Sequence, residues 1–561
     1  MSLDIARNAL LQADHRLTGP GGPFEVTEDL VLGERMPVFR NRPTSLREIL
    51  ASSACFGSRD CFVFGDGSRI TFAELPSRVA STAAFLRDVH GVRQGDRVAI
   101  CAANGPGWLL VLWATTSLGA VLVAMNGWWS EPEIENALDL TSPAVVFADE
   151  KRGARLPCSY VDVDKTFGDM IRHAPDAPLP DCPVSEDDPA ALIFTSGTTG
   201  RPKAACLSHR SLVAFIMMQE YLGVRGSALR GGAAPARPAT RLAVFPLFHV
   251  SGLAATLTAV HVGATTVWPL GRFDPGMVID LTVREGINIW GGTVTHIFRL
   301  LQHPRVGEVD PKQIASVGIG GSATTPQLVR IIEERFPHLA GTSSSGYGST
   351  ESGGLISWTP EAMLAEAPDC VGPVLPTVEV RIADDRGDPV SDGHDGDIWV
   401  RSPLLMIGYW NNDEANAEAL APGRWLRTGD YGRLEHGVLF LASRRRDLII
   451  RGGENVYPFE IENRLEEHPD IIEAAVIGVD DDEFGQEVKA VVVLREGSSL
   501  DAAGMRSHCA TTLASYKVPT RVEIRHTALP RNPTGKVMKQ VLAGLDAGTF
   551  VDDGNASEKE D

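Results

Sequence analysis

Cysteine is sparse and never closely paired: the chain has eight in 561 residues, with no CxxC. That argues against a disulfide framework and fits reduced thiols in a cytoplasmic protein. Cationic excess is also missing. The net charge is −20, which disfavours general nucleic-acid or anionic-membrane binding, since both need a basic face. A polyanionic ligand would have to meet local cations. The stretch "MSLDIARNALLQADHRL" lacks an apolar signal core, and "EKED" is not a peroxisomal address. One charge-free run, Trp108 to Trp129, has the length of a membrane span. Thr115, Thr116, Ser117 and Gly119 interrupt it, so it reads as a buried helix followed by a strand. No internal repeat is visible.

What is present is an ordinary globular composition, 43% hydrophobic and 22% charged, in a chain too long for one core. From about residue 60 to 355, strand-like runs alternate with helical patterns: "RLAVF", "ATTVWP", "INIWGG" before "TVTHIFRLLQH", and "SVGIGG" before "TPQLVRIIEERF". Apolar strands in that order predict parallel sheet covered by helices. Shorter spacing from Val378 to Leu441 predicts an antiparallel β subdomain. Cations cluster at Ser443–Asp447, and a small α+β unit follows. The expected fold is α/β: a large N-terminal domain (1–445) with two parallel-type α/β subdomains and a small β subdomain, then a small mobile α+β C-terminal domain (446–545). The hinge falls at Arg446–Asp447, and 546–561 reads as a disordered tail. Arg225–Thr240, rich in Gly, Ala and Pro, reads as a mobile loop.

The sharpest local signal is "FTSGTTGRPK", Phe194 to Lys203, directly after the apolar "AALI". A Gly-rich turn after a strand can aim backbone N–H groups at phosphate oxygens. Gly197 and Gly200 remove side-chain obstruction, Thr195, Ser196, Thr198 and Thr199 add hydroxyl donors, and Lys203 adds a point charge. The spacing G-x-x-G-x-x-K is not that of Walker nucleotidases, which excludes Walker-type hydrolysis.

This loop and seven further stretches resemble the adenylate-forming superfamily of acyl-CoA synthetases, peptide-synthetase adenylation domains and firefly-type luciferases. The stretches are "ITFAELPSRVA", "LGAVLVAMN", "FPLFHVSGL", "GYGSTESG", "RWLRTGD", "RDLIIRGGENVYPFEIE" and "PRNPTGKV", in the family's order and spread over most of the chain. The resemblance implies that residues 1–445 form an AMP-binding domain and that ATP, Mg²⁺ and CoA are used. It assigns Lys536 to bridge the acid and the α-phosphate, Glu351 to hold Mg²⁺, and Thr350 to touch the α-phosphate. Tyr347 would lie along the adenine between Gly346 and Gly348, with Gly320, Gly321 and Ser322 as the other wall. Asp430 would take the ribose hydroxyls. Arg444 would reach ribose or phosphate, although Ser443 replaces the family's glycine before it and leaves Arg444, Arg445 and Arg446 as alternatives. His249 and Val250 would border the acyl pocket. Arg451, Gly452 and Gly453 would line a pantetheine tunnel after the small domain rotates.

The implied activity is that of an acid–CoA ligase forming acyl-AMP and then acyl-CoA. An amide-forming synthetase would share every motif. A luciferase would add oxygen chemistry. A peptide-synthetase subunit fits less well, because no carrier-site serine motif follows Lys536. A catalytically dead nucleotide-binding protein is disfavoured by the retained Lys536, Glu351 and Asp430. The expected pocket segments carry no charge and are rich in Gly, Ala, Ser and Thr, with Trp290 the bulkiest member and Ser352 and Gly348 nearby. They suit a bulky apolar acid: aryl, arylalkanoic, long-chain or polycyclic. Thr293–Thr295 departs from the family's Val-Pro-Thr. The expected partners are small molecules, with no nucleic acid and no transmembrane span; a homodimer is left open.

Overall fold

The computed structural model describes residues 3–196, 202–229, 238–319, 326–342, 344–364, 366–367, 369–444, 447–451, 454–481, 484–531 and 537–544. Its first sheet has seven strands. Val161–Asp162, Val145–Ala148, Arg97–Cys101, Val121–Ala124 and Pro189–Ser196 run parallel. Pro202–Ser208 and Gly408–Tyr409 close the edge in antiparallel sense. The charge-free run divides as expected: helix Pro106–Ser117, then strand Val121–Ala124. Proline at the helix start supplies a fixed φ where no N–H bond is needed. Trp108 and Trp113 are fully buried, so a helix apolar all round is covered all round. No helix among the described residues is long and apolar enough to cross a membrane.

The second sheet is ordered Ser316–Ile319, Ile289–Gly292, Thr240–Leu242, Thr265–Trp268, Asp60–Phe64, Arg69–Thr71, parallel except at its last strand. The third is the expected antiparallel subdomain, from Cys370–Pro373 through Val438–Arg444, Trp425–Glu435 and Asp395–Arg401 to Glu379–Ala383. Val438–Arg444 is the last strand of that sheet, and Ile449–Arg451 already belongs to another. That C-terminal sheet joins Glu454–Val456, Ile449–Arg451, Gly485–Leu494, Ile471–Asp481 and Arg521–Arg525, with helices Pro458–Glu466 and Ala502–Ala510. Its apolar core is separate. The fold is thus α/β with a large N-terminal and a small C-terminal unit, and the expected hinge residues lie between the last strand of one and the first of the other.

One expectation is corrected. Arg225 does not begin a loop. The helix His209–Leu229 continues through it, and Arg225 is buried 3.4 Å from Asp14, which also accepts a hydrogen bond from the Tyr221 hydroxyl. An acid from the first helix, Leu3–Thr18, therefore stabilises helix where Gly and Ala alone suggested none. Residues 230–237 and the C-terminal tail lie outside the described residues.

Candidate active site

The hydroxyl-rich stretch begins and ends on two antiparallel strands. Pro189–Ser196 and Pro202–Ser208 pair so that Thr195 faces Lys203. Both residues therefore stand on the strands that flank residues 197–201. Gly197, Thr198, Thr199 and Gly200 lie outside the described residues, as does the side chain of Ser196.

Glu351 arrives from the turn after strand Ser344–Tyr347. Gly353 adopts φ 71° there, and a Cβ would stand 2.0 Å from the Leu404 carbonyl oxygen, so only glycine lets the turn lie this close. The Met406 N–H donates to the Glu351 carbonyl at 3.0 Å. The Tyr409 hydroxyl donates to Glu351 Oε1 at 2.9 Å, and Lys203 Nζ sits 5.2 Å from the centre of the Tyr409 ring. Burial, then the Glu351 charge, pushes the Tyr409 hydroxyl far above its ordinary range, while a Thr195 hydrogen bond opposes this. Thr195, Lys203 and Glu351 are thus gathered by a tyrosine that no motif reading singled out.

A second tyrosine–carboxylate pair lies nearby in sequence. The Tyr347 hydroxyl donates to Asp430 Oδ2 at 2.6 Å, and Asp430 is only 7% exposed. Asp430 is on the long strand Trp425–Glu435, where its backbone partner across the sheet is Arg444. The Arg444 side chain, Arg445 and Arg446 are outside the described residues, as are Gly320, Gly321 and Ser322. Gly346 and Gly348 flank Tyr347, and Thr350 accepts the Gly353 N–H through its carbonyl at 3.1 Å.

His249 precedes helix Val250–Val262, and its ring lies 4.8 Å from Phe248, which meets Trp128 edge-on at 5.0 Å. Gly354 faces the same region: a Cβ on it would be 2.9 Å from Phe215 and 3.6 Å from Val250. The "HVSG" and "GYGSTESGG" segments therefore meet across an aromatic and aliphatic surface.

Two expected pocket residues are placed elsewhere. Trp290 is 0% exposed; its indole N–H donates to Thr282 Oγ1 at 3.1 Å, and its ring packs edge-on against Phe336 at 5.5 Å. It is a core residue of the second sheet, not a wall. Ser352 is buried, and its hydroxyl donates to the Ser349 carbonyl at 3.0 Å, holding the turn rather than facing a ligand. The Thr293 departure has a local purpose. Its hydroxyl caps helix Val294–Gln302 by accepting the His296 N–H at 3.3 Å.

In the small unit, Arg451 donates to the Tyr516 carbonyl at 3.0 Å and lies over Phe484. Gly452, Gly453 and Lys536 are outside the described residues. Arg531 and Val537, on either side of the Lys536 segment, pair with one another.

Residues 51–410 match the AMP-binding enzyme model and 460–536 the AMP-binding enzyme C-terminal domain model. The chain belongs to the AMP-binding enzyme family. Among its curated relatives is a feruloyl-CoA synthase from Amycolatopsis sp., 34% identical over 84% of this chain and 93% of that protein. Another is the indoleacetate–CoA ligase of Aromatoleum aromaticum, 32% identical over 86% and 94%. Among solved structures, o-succinylbenzoate CoA synthetase from Bacillus subtilis, in complex with its acyl-adenylate intermediate, superposes with a TM-score of 0.73. It is 28% identical and is matched over 90% of this chain and 98% of that one.

Proposed function

We propose that the chain is an ATP-dependent acid–CoA ligase acting on an apolar, aromatic carboxylic acid. The observation that carries this reading is the grouping of Thr195, Lys203 and Glu351 around Tyr409, together with the Tyr347–Asp430 pair. One cluster offers a hydroxyl, a cation and a carboxylate to a polyphosphate. The other offers a buried acceptor to ribose hydroxyls.

Glu351 suits Mg²⁺ that arrives with the nucleotide. Magnesium keeps most of its waters and takes one or two protein carboxylates plus phosphate oxygens. Among the described residues no group of three or more His, Cys, Asp or Glu side chains could hold a metal as a protein cage. Bound there, the ion would offset phosphate charge; Glu351 is the residue that would hold it.

In the first half-reaction the acid's carboxylate oxygen bonds to the α-phosphorus and pyrophosphate leaves. Two anions must approach, so cations in a dry site lower the barrier. Lys203 serves the phosphates and Lys536 the junction of acid and α-phosphate, with Arg444 at the ribose or phosphate and Thr350 at the α-phosphate. Tyr347 and the segment Gly320, Gly321 and Ser322 enclose the adenine. In the second half-reaction the CoA thiol gives its proton to solvent, its sulfur bonds to the acyl carbon, and the bond from that carbon to the phosphate oxygen breaks, releasing AMP. The small unit rotates about Arg446–Asp447 between the two, exchanging Lys536 for the Arg451–Gly453 loop. His249, Val250, Phe215 and Gly354 supply an uncharged wall for the acid, consistent with the aromatic acids in the relatives' names. The reading places the protein in the cytoplasm.

The test is a panel of carboxylic acids, assayed for pyrophosphate release with and without CoA. Acid-dependent release and CoA-dependent thioester are expected with aryl and arylalkanoic members. Release with thioester replaced by amide when amines are supplied would reassign the second step. No acid-dependent AMP or AMP ester from any member would end the proposal.

A further inference from the structure

Tyr409 is held more firmly than a packing residue needs. Its N–H donates to Asn416 Oδ1 at 2.6 Å and its carbonyl accepts Asn416 Nδ2 at 2.9 Å. Two carbonyls just upstream, Met406 and Ile407, accept the Arg424 guanidinium at 2.6 and 2.8 Å, and the Met406 N–H grips the Glu351 backbone. Tyr409 lies opposite Ala205 on the paired strand, and Lys203, two residues along, shares that face. The sheet register thus puts the ring beside the ammonium, while the hydroxyl reaches Glu351. A neutral donor on one carboxylate oxygen fixes the group's orientation without cancelling its charge. An aromatic face holds a cation without neutralising it, and the anionic neighbour of Lys203, Glu418 at 4.0 Å, is a solvent-exposed carboxylate that screens it only weakly.

We infer that Tyr409 is a positioning residue for adenylation. Its hydroxyl aims the Glu351 carboxylate at the nucleotide-borne Mg²⁺, and its ring seats Lys203 for the phosphates. The inference rests on the proposed ligase reading and adds to it a residue that touches neither substrate.

The test is calorimetric binding of ATP to the full chain across a Mg²⁺ titration, with acid-dependent pyrophosphate exchange measured in parallel. Losing a hydrogen bond to a charged group should raise the Mg²⁺ needed for half-maximal ATP binding about tenfold in Tyr409→Phe. Its KM for the acid and its melting temperature should stay near wild type. Tyr409→Leu, a second variant without the donor, should show the same rise and also weaker binding of Mg²⁺-free ATP, because the seat under Lys203 is gone. The double variant Tyr409→Phe, Glu351→Gln should be no worse than Glu351→Gln alone, since the tyrosine acts through the acid. Unchanged Mg²⁺ dependence in a folded Tyr409 variant, or fully additive losses in the double variant, would overturn the assignment. Wild-type protein that binds ATP no better with Mg²⁺ than with chelator would remove the ligase reading itself, and this assignment with it.

Discussion

Two pairs of carboxylates, one pair in each unit, are held differently. In the large unit, Glu351 and Asp430 each receive a tyrosine hydroxyl. In the small unit, Glu473 meets Arg531 and the Leu529 N–H, while Glu462 meets Lys539 at 2.7 Å and the Val476 N–H at 2.7 Å. A hydroxyl orients an acid and leaves its charge. A cation offsets it within a part-buried ion pair, so the acid is already engaged inside the protein. Under the proposed function, Glu351 and Asp430 face a metal and a sugar, whereas Glu473 and Glu462 fix the strands around residues 529–539. Lys536 lies on that second segment, whose ends meet at the Arg531–Val537 bridge.

The largest expected effect breaks the link between the units. Lys536→Ala should lower acid-dependent pyrophosphate exchange about 100-fold or more, the scale of losing one preorganised charge-stabilising group. Thioester formation from supplied acyl-AMP should survive. Equal loss in both assays would mean that the lysine serves folding, or both steps, rather than adenylation. A smaller effect sharpens the division of labour: Gly453→Trp should slow thioester formation from acyl-AMP about tenfold, the scale of overpacking a tight site, and leave pyrophosphate exchange intact. Rapid thioester formation would remove the tunnel from that loop.

Much of this architecture was legible in the sequence, because its parallel strands are short apolar runs and its turns carry Gly and Pro. The helix-then-strand reading of Trp108–Trp129 held because Gly119, at φ 66°, separates the two elements. Trp290 was misplaced for a physical reason: both faces of a covered parallel strand are apolar, so its pattern does not say which face looks toward the site. Ile289 and Gly291 alternate with it on the opposite face. Tyr409 was missed because it belongs to a two-residue strand, too short for periodicity to mark. The available signal was an aromatic residue after "MI" and "G" and ahead of the polar "NND"; only the pairing with Pro202–Ser208 gives it meaning. Arg225 was misread because local composition cannot register an acid more than two hundred residues away.

The smallest effect on turnover concerns Glu466, the third acid of the small unit. Its Oε1 accepts the Ala474 N–H at 3.1 Å, and burial, then the neighbouring Glu462 and Glu473, push its carboxyl up to about 7 from an ordinary 4.5. The Ala474 N–H and Arg531 oppose the shift without reversing it. Between those two pH values the folded chain keeps a proton that the unfolded chain has released, so this group's contribution to stability falls as pH rises, from fully present below 4.5 to lost above about 7. At about 1.4 kcal/mol per pKa unit, the loss is at most about 3.5 kcal/mol. Glu466→Gln keeps the acceptor and removes the titration. Amide-exchange protection of strands Ile471–Asp481 and Gly485–Leu494 should therefore improve in the variant, relative to wild type, as pH rises from 5 to 8. Pyrophosphate exchange at neutral pH should change less than threefold. A constant protection difference across that range would show that Glu466 ionises alike in folded and unfolded chains.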